Sequence, residues 1–205
     1  MKLLAKVVTV SDSVAVGGDD ESGPAVVELL ERAAWEVVES VVVADGRANV
    51  GKALARAVDG FHGVVVTTGG TGLSPRDQTP EATSDVIDRS VPGISEAIRA
   101  AGITRFPHAM LSRAVAGTVG RSLIINLSGS PKAACEQLAV VEPVLAHALE
   151  VLAQGPTERV EHPEHDGTGA DRTGHQSGAG SQPGARPQPG TGRQPGAGRQ
   201  PGTGR

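Results

Sequence analysis

A chain of 205 residues with a formal net charge of −4, a pI near 5.9 and only 1% aromatic residues excludes two classes of protein at once. It has no broad basic field to hold a polyanion, and Trp35, Phe61 and Phe106 are too few for the stacking platforms of single-strand nucleic-acid binders. A single cysteine, Cys135, rules out an intrachain disulfide and fits a reducing compartment.

Composition divides the chain near Gly155. Residues 1–155 are rich in Val, Ala, Leu and Ile, enough for one core. Residues 156–205 nearly lack large aliphatics and end in a degenerate Arg-Gln-Pro-Gly-Ala/Thr-Gly repeat. Such a segment cannot offset its ordering entropy by burial and is expected to be a disordered tail. The start, "MKLLAKVVTVSDS", is not read as a signal peptide, because Lys6 interrupts its apolar run. No run is long enough to span a bilayer. The reading is a soluble, cytoplasmic protein without a membrane or specific nucleic-acid partner.

In chain order, "LLAKVVTVS" predicts a first strand and "DSVAVGGDDESG" a long polar loop. A helix from about Pro24 places Val26, Leu29, Leu30 and Ala33 on one face. "WEVVESVVVAD" predicts a second strand, and a second helix over about 49–59 follows. "GVVVTT" reads as a third, central strand. After a glycine-rich loop, "TPEATSDVID" opens a helix with Thr79 as its cap and Pro80 in the first turn. "PGISEAIRAAG" is helical, and "SRAVAGTVG" is a short edge strand. "RSLIINL" is buried strand, and a helix starts at Ser130-Pro131, with Pro143 expected to break or restart it. The alternation predicts an α/β, three-layer, doubly wound domain whose mostly parallel sheet carries helices on both faces.

That topology puts the loops after the four parallel strands on one sheet edge, where ligands bind. The unusual residues fall in those loops. The first holds Ser11 and Asp12, and the second Asp45. The third, "TTGGTGLSPRDQTPEAT", holds Thr68, Gly69, Gly70, Thr71, Gly72, Arg76 and Asp77. A tight turn accounts for one of its glycines, whereas a nest of main-chain N–H groups around an anion accounts for all three. It is neither a Walker A loop nor a dinucleotide fingerprint. The fourth loop, "LSGSPKA", puts Ser128, Gly129, Ser130 and Lys132 at a helix N-terminus, which also receives anions.

Each residue has a structural alternative. Asp45 can make an Asp-Gly turn, Asp77 can support the next helix, Arg76 can pair with Asp77, and Lys132 can be an exposed surface lysine. Together, two carboxylates beside a glycine nest suit Mg²⁺ and a polyphosphate. His62 and His108 have no partner at metal-ligand spacing. The acidic run Asp19, Asp20 and Glu21 reads as a solvated loop.

With these residues assembled, "TTGGTG", "RDQTPEAT", "VPGISEAIR", "LSRAVAG" and "NLSGSPKA" stand in the order found in the molybdopterin adenylyltransferase family, which residues 6–154 resemble. The resemblance implies a molybdopterin-binding fold and the transfer of an adenylyl group from Mg·ATP to molybdopterin. It matches Asp45 and Asp77 to the family's catalytic, metal-holding acids. The other residues named in the four loops form the expected substrate- and nucleotide-binding set. It further implies a homotrimer and handover to a molybdate-inserting enzyme. The alternative is a noncatalytic molybdopterin carrier or scaffold. Two positions depart from the family's pattern: Val14, where many relatives carry an arginine at or beside this point, and Ser128, where relatives usually have proline.

Overall fold

The computed structural model describes residues 2–154; the stretch read as a tail lies outside the described residues. The Val-rich runs form β1 (Leu4–Val10), β2 (Glu36–Val43), β3 (Val64–Thr68) and β6 (Ser122–Leu127). Two further strands, β4 (Arg89–Ser90) and β5 (Ala116–Val119), complete a sheet of order β2-β1-β3-β6-β5-β4. The pairs β1–β2, β1–β3 and β3–β6 are parallel, whereas β5–β6 and β4–β5 are antiparallel. β3 is central, as its unbroken apolar run predicts. β5 is not the edge strand expected from "SRAVAGTVG", because β4 pairs outside it.

Alternating strand residues feed two cores on opposite faces of the sheet. Val7, Val66, Ile125 and Leu127 pack beneath α2 (Ser22–Arg32), α5 (Pro92–Ile103) and α6 (Pro131–Ala153), through Val26, Leu30, Ile98, Leu138 and Leu145. Val8, Val10, Val65 and Ile124 pack on the other face with Val50, Leu54 and Ala82, from α3 (Arg47–Val58) and α4 (Thr79–Val86). This is the three-layer α/β arrangement that the alternation of elements predicts.

Four local expectations are corrected. The first loop contains a short helix, α1 (Asp12–Ala15), capped by Ser11 Oγ, which accepts the Val14 N–H at 3.4 Å. Asp20 is not merely solvated: it accepts the Gly23 N–H at 2.9 Å and the Thr9 hydroxyl at 2.7 Å, tying α2 to β1. Thr79 is the first helical residue of α4, and Gln78 holds the cap position. α6 runs unbroken through Pro143. That proline lies on the exposed side, so the carbonyl it leaves unpaired faces water, while Leu138, Val141, Leu145 and Leu149 are buried in one stripe along the helix.

Candidate active site

The strand registers align Thr9 with Val42 and Thr68, and Thr68 with Leu127. The loops after β1, β2, β3 and β6 therefore leave the same sheet edge. Strand order reverses beside β1, since β2 lies on one flank and β3 on the other. A ligand-binding crevice belongs at such a reversal.

Loops one and two are joined by reciprocal hydrogen bonds. The Asp12 N–H donates to Asp45 Oδ2 at 2.9 Å, and the Asp45 N–H donates to Asp12 Oδ1 at 3.0 Å. The Asn49 side chain donates to the Asp45 carbonyl at 3.0 Å. In loop three, Asp77 Oδ2 accepts the Ser74 N–H, and the Asp77 N–H donates to the Ser74 carbonyl, both at 3.0 Å. Each acid thus has one oxygen fixed by a main-chain amide. Asp45 Oδ1 and Asp77 Oδ1 take no hydrogen bond among the described residues. Burial, and next the charge of Asp77, raise the Asp45 carboxyl above its ordinary pKa. The two carboxylates, 32 positions apart in the chain, therefore feel each other across the crevice.

Between them runs the glycine turn. Gly69 and Gly70 have φ of +107° and +62°. A Cβ on Gly69 would collide with the Val10 carbonyl, and one on Gly70 with the Thr79 hydroxyl. The nest is smaller than the sequence suggests, because the Gly69 N–H donates to the Leu127 carbonyl at 3.1 Å. The N–H groups of Gly70, Thr71 and Gly72 have no acceptor among the described residues. Thr68 is fully buried and its hydroxyl donates to the Ser128 carbonyl at 2.7 Å, so it braces loop four instead of facing the crevice. The buried Thr79 hydroxyl also has no partner and stands over Gly70.

Loop four approaches loop three so closely that a Cβ on Gly129 would come 3.2 Å from the Gly69 Cα. Ser128 is held by Gln137, which accepts its N–H at 2.8 Å and donates to its hydroxyl at 2.7 Å. That clamp fixes loop four at the serine where the resemblance leads one to expect proline. Ser130 and Lys132 are exposed at the start of α6. No side chain caps that end, and the Lys132 and Ala133 N–H groups take no acceptor among the described residues. Arg76 pairs with Asp12, not with Asp77. The cation that Val14 does not supply is thus present at this corner from another loop.

Three supporting residues are not singled out by the sequence reading, although Arg113 stands in "LSRAVAG" and Asn126 opens "NLSGSPKA". Arg113 donates from Nε to the Gly72 carbonyl at 2.7 Å, and its other nitrogens contact the Asp77 carbonyl and Glu81. Gln137 lies nine residues beyond the serine it holds. Asn126, wholly buried, donates to Thr67 at 3.0 Å and Thr83 at 2.9 Å, fixing α4 against the sheet. The motifs mark the positions of Arg113 and Asn126 but not their partners, and Gln137 has only its helical spacing from Ser128. His62 contacts the Leu149 carbonyl at 3.3 Å, a structural role.

A hollow of about 370 Å³ adjoins the crevice, lined by Arg47, Glu81, Asp85 and Arg113. Another, of about 200 Å³, lies away from the loops among Lys6, Glu39, Arg56 and the valines of β1 and β2. The crevice itself is an open shelf, because Arg76, Gly129, Ser130 and Lys132 are exposed. Among the described residues no three His, Cys, Asp or Glu side chains form a ready metal cage. Two free carboxylate oxygens instead suit a hard cation whose remaining ligands come from water and a bound phosphate.

Comparison with known proteins identifies the family and the fold. Residues 6–147 match the family described as "Probable molybdopterin binding domain". Over 151 residues the chain is 39% identical to a molybdenum cofactor biosynthesis bifunctional protein of Synechococcus elongatus, covering 73% of this chain but only 47% of that one. Over 150 residues it is 39% identical to a molybdopterin adenylyltransferase of Helicobacter pylori, covering 71% of this chain and 85% of that protein. The solved structure of the molybdopterin biosynthesis Mog protein from Mycobacterium ulcerans is 42% identical, with a TM-score of 0.70 over 75% of this chain and 99% of that one. No helix among the described residues is long and apolar enough to cross a membrane. The sheet-edge crevice, its motifs and these likenesses make the chain a member of the molybdopterin-binding domain family of molybdenum cofactor biosynthesis.

Proposed function

We infer that the protein is a molybdopterin adenylyltransferase. The observation that carries the reading is the pairing of two half-free carboxylates, Asp45 and Asp77, with the unpaired N–H groups of Gly70, Thr71 and Gly72. A domain that only held a pterin would have no use for both acids, which repel one another when the site is empty.

In the proposed reaction an oxygen of the terminal phosphate of molybdopterin attacks the α-phosphorus of ATP. A new P–O bond forms there, the bond from the α-phosphorus to the bridging oxygen breaks, and pyrophosphate leaves with the electron pair. No covalent enzyme intermediate is needed, so the protein acts through position and electrostatics. The three amides give fixed donors to phosphate oxygens in a turn already shaped for them. The uncapped amides at the start of α6, with Lys132, would give a second anionic foothold across the shelf. The donor set fits magnesium: Asp45 and Asp77 would hold it, and it would supply charge neutralisation to the phosphates. Homotrimer assembly, a cytoplasmic location and handover of the product to a molybdate-inserting enzyme belong to the same reading.

The test is incubation with molybdopterin and Mg·ATP, following pyrophosphate release and adenylyl-molybdopterin, with Asp77→Asn as control. We expect turnover in the native chain and a loss of about 10²-fold or more in the variant. Binding of molybdopterin without pyrophosphate release would instead select the carrier or scaffold. Equal turnover in Asp77→Asn would remove the role given to that acid.

A further inference from the structure

We propose that Arg113 is the positioning residue of the Asp77 loop, and that Glu81 neutralises it so that this service leaves the negative charge of the crevice intact. The proposal rests on the role given above to Asp77.

Arg113 spends every donor group on one neighbourhood. Its main-chain N–H donates to the Thr71 carbonyl at 3.0 Å, and Nε donates to the Gly72 carbonyl at 2.7 Å. One terminal nitrogen reaches the Asp77 carbonyl and the other a Glu81 carboxylate oxygen. Gly72 and Asp77 bound an excursion whose four intervening residues, Leu73, Ser74, Pro75 and Arg76, are all exposed. Leu73 is 64% exposed, so no apolar packing anchors the tip. Above a main-chain bond from the Thr79 N–H to the Gly70 carbonyl at 3.1 Å, one planar guanidinium closes the neck of this excursion, as its rigid fork of donors allows and an ammonium does not. The internal turn between Ser74 and Asp77 shapes the tip, and the tip's own tie to the domain is the Arg76–Asp12 pair, an exposed ion pair of small worth.

The charge matters as much as the bonds. A lone guanidinium on the Asp77 main chain would weaken a cation's hold on the neighbouring carboxylates. Glu81 stands on the first turn of α4 with its carboxylate on that guanidinium. Burial alone would raise the Glu81 pKa, but the hydrogen bond from Arg113 holds it below the ordinary value. The pair is therefore neutral overall, and the loop is pinned without a net positive charge.

Three variants test this: Arg113→Lys, Glu81→Gln and, as reference, Asp77→Asn. Limited trypsin digestion reads the loop directly, because Arg76 lies at its exposed tip; the rate of cleavage after Arg76 is followed by mass spectrometry. Mn²⁺ titration without nucleotide reads the acids, and thermal melting reads the whole fold. We expect Arg113→Lys to be cut after Arg76 about ten times faster or more and to bind Mn²⁺ more weakly, with only a small change in Tm, since loops open locally. Glu81→Gln should weaken Mn²⁺ binding by about fivefold or more while keeping near-native cleavage, through uncompensated charge. Asp77→Asn should lose Mn²⁺ affinity with the loop still protected, because its amide oxygen can accept the Ser74 N–H. Native cleavage and native Mn²⁺ affinity in Arg113→Lys would overturn the proposal. A collapse of Tm in step with cleavage would overturn it too, by making Arg113 a general fold residue; Glu81→Gln, which keeps the staple, then tests the charge argument separately. Unchanged Mn²⁺ affinity in Asp77→Asn would defeat the role of Asp77 while leaving the cleavage result to judge the staple.

Discussion

Replacing Gly72 by alanine tests whether the placement of Asp77 limits turnover. A Cβ at that position would lie 2.9 Å from Asp77 Oδ2 and 3.8 Å from its Cγ, with no other atom within 4 Å. The oxygen contact is about 0.5 Å shorter than an ordinary one of about 3.4 Å, which is the tolerance within which a catalytic group must be held. The carboxylate yields by turning away from the new methyl, which stretches its 3.0 Å bond from the Ser74 N–H. Loss of that bond costs about 1 kcal/mol, so the fold survives. Misplacement by about 1 Å costs about 10²-fold in rate, so half of that should cost about tenfold in kcat. The assay is pyrophosphate release beside a thermal melt, with Gly51→Ala as control. Gly51 lies within α3 with nothing within 4 Å of its Cβ position. There alanine should add about 1 kcal/mol of stability and leave kcat unchanged. Full activity in Gly72→Ala at a native Tm would refute the claim that the Asp77 carboxylate is held to a narrow position.

The electrostatics give a prediction whose sign is set by the folded state. Because burial and Asp77 raise the Asp45 pKa on folding, its share of stability is present at low pH and lost as pH rises through the folded value. In chelator at pH 7, Asp45→Asn should therefore melt higher than the native chain and be inactive. The gap should close as pH falls below about 4, the ordinary carboxylate value; a native chain more stable than Asp45→Asn at pH 7 would reverse the argument. Gln137→Leu orphans the Ser128 N–H and removes a partner of its hydroxyl. It should cost about 1–3 kcal/mol and raise the KM for the anionic substrates more than it lowers kcat, and adding Ser128→Pro should restore Tm by removing both groups. A melt and a Michaelis curve for the single and double variants check this.

Much of the architecture was legible because apolar periodicity is local. The runs "KVVTV", "EVVESVVV", "GVVVTT" and "SLIINL" hold their own β signal, and alternation with helices then fixes a shared loop edge. Asp45 and Asp77 could be matched to one crevice on that basis, before any contact was visible. What escaped were side chains whose partners are far away in sequence. Nothing around Arg113 foretells acceptors 32 to 42 positions earlier, and nothing around Asn126 foretells two threonines on other elements. The failure at Pro143 is different. The local penalty is real, but a buried stripe running past both sides of the proline outweighs one missing hydrogen bond. The nest was likewise one amide too large, since pairing of Gly69 with Leu127 continues the sheet beyond its last apolar residue.

The arrangement of polar groups explains why the crevice can hold repelling charges without loosening the fold. Asn126 is wholly buried, yet its amide donates to Thr67 and Thr83 and its oxygen accepts the Val115 N–H at 3.3 Å. One side chain therefore links β6, β3, α4 and the approach to β5. A satisfied network of this kind fixes geometry, because each displacement leaves a buried polar group unpaired. α4 is thereby locked with its first residue, Thr79, over Gly70, and its N-terminal neighbour Asp77 is carried into position. On the opposite flank, Asp12 and Asp45 lock one another through their main chains. Each acid is thus held by a rigid element on its own side, and the only soft connection is the exposed tip from Leu73 to Arg76. Repulsion between Asp45 and Asp77 finds little relief in movement of either element, and in the proposed function that is the demand a magnesium ion would meet.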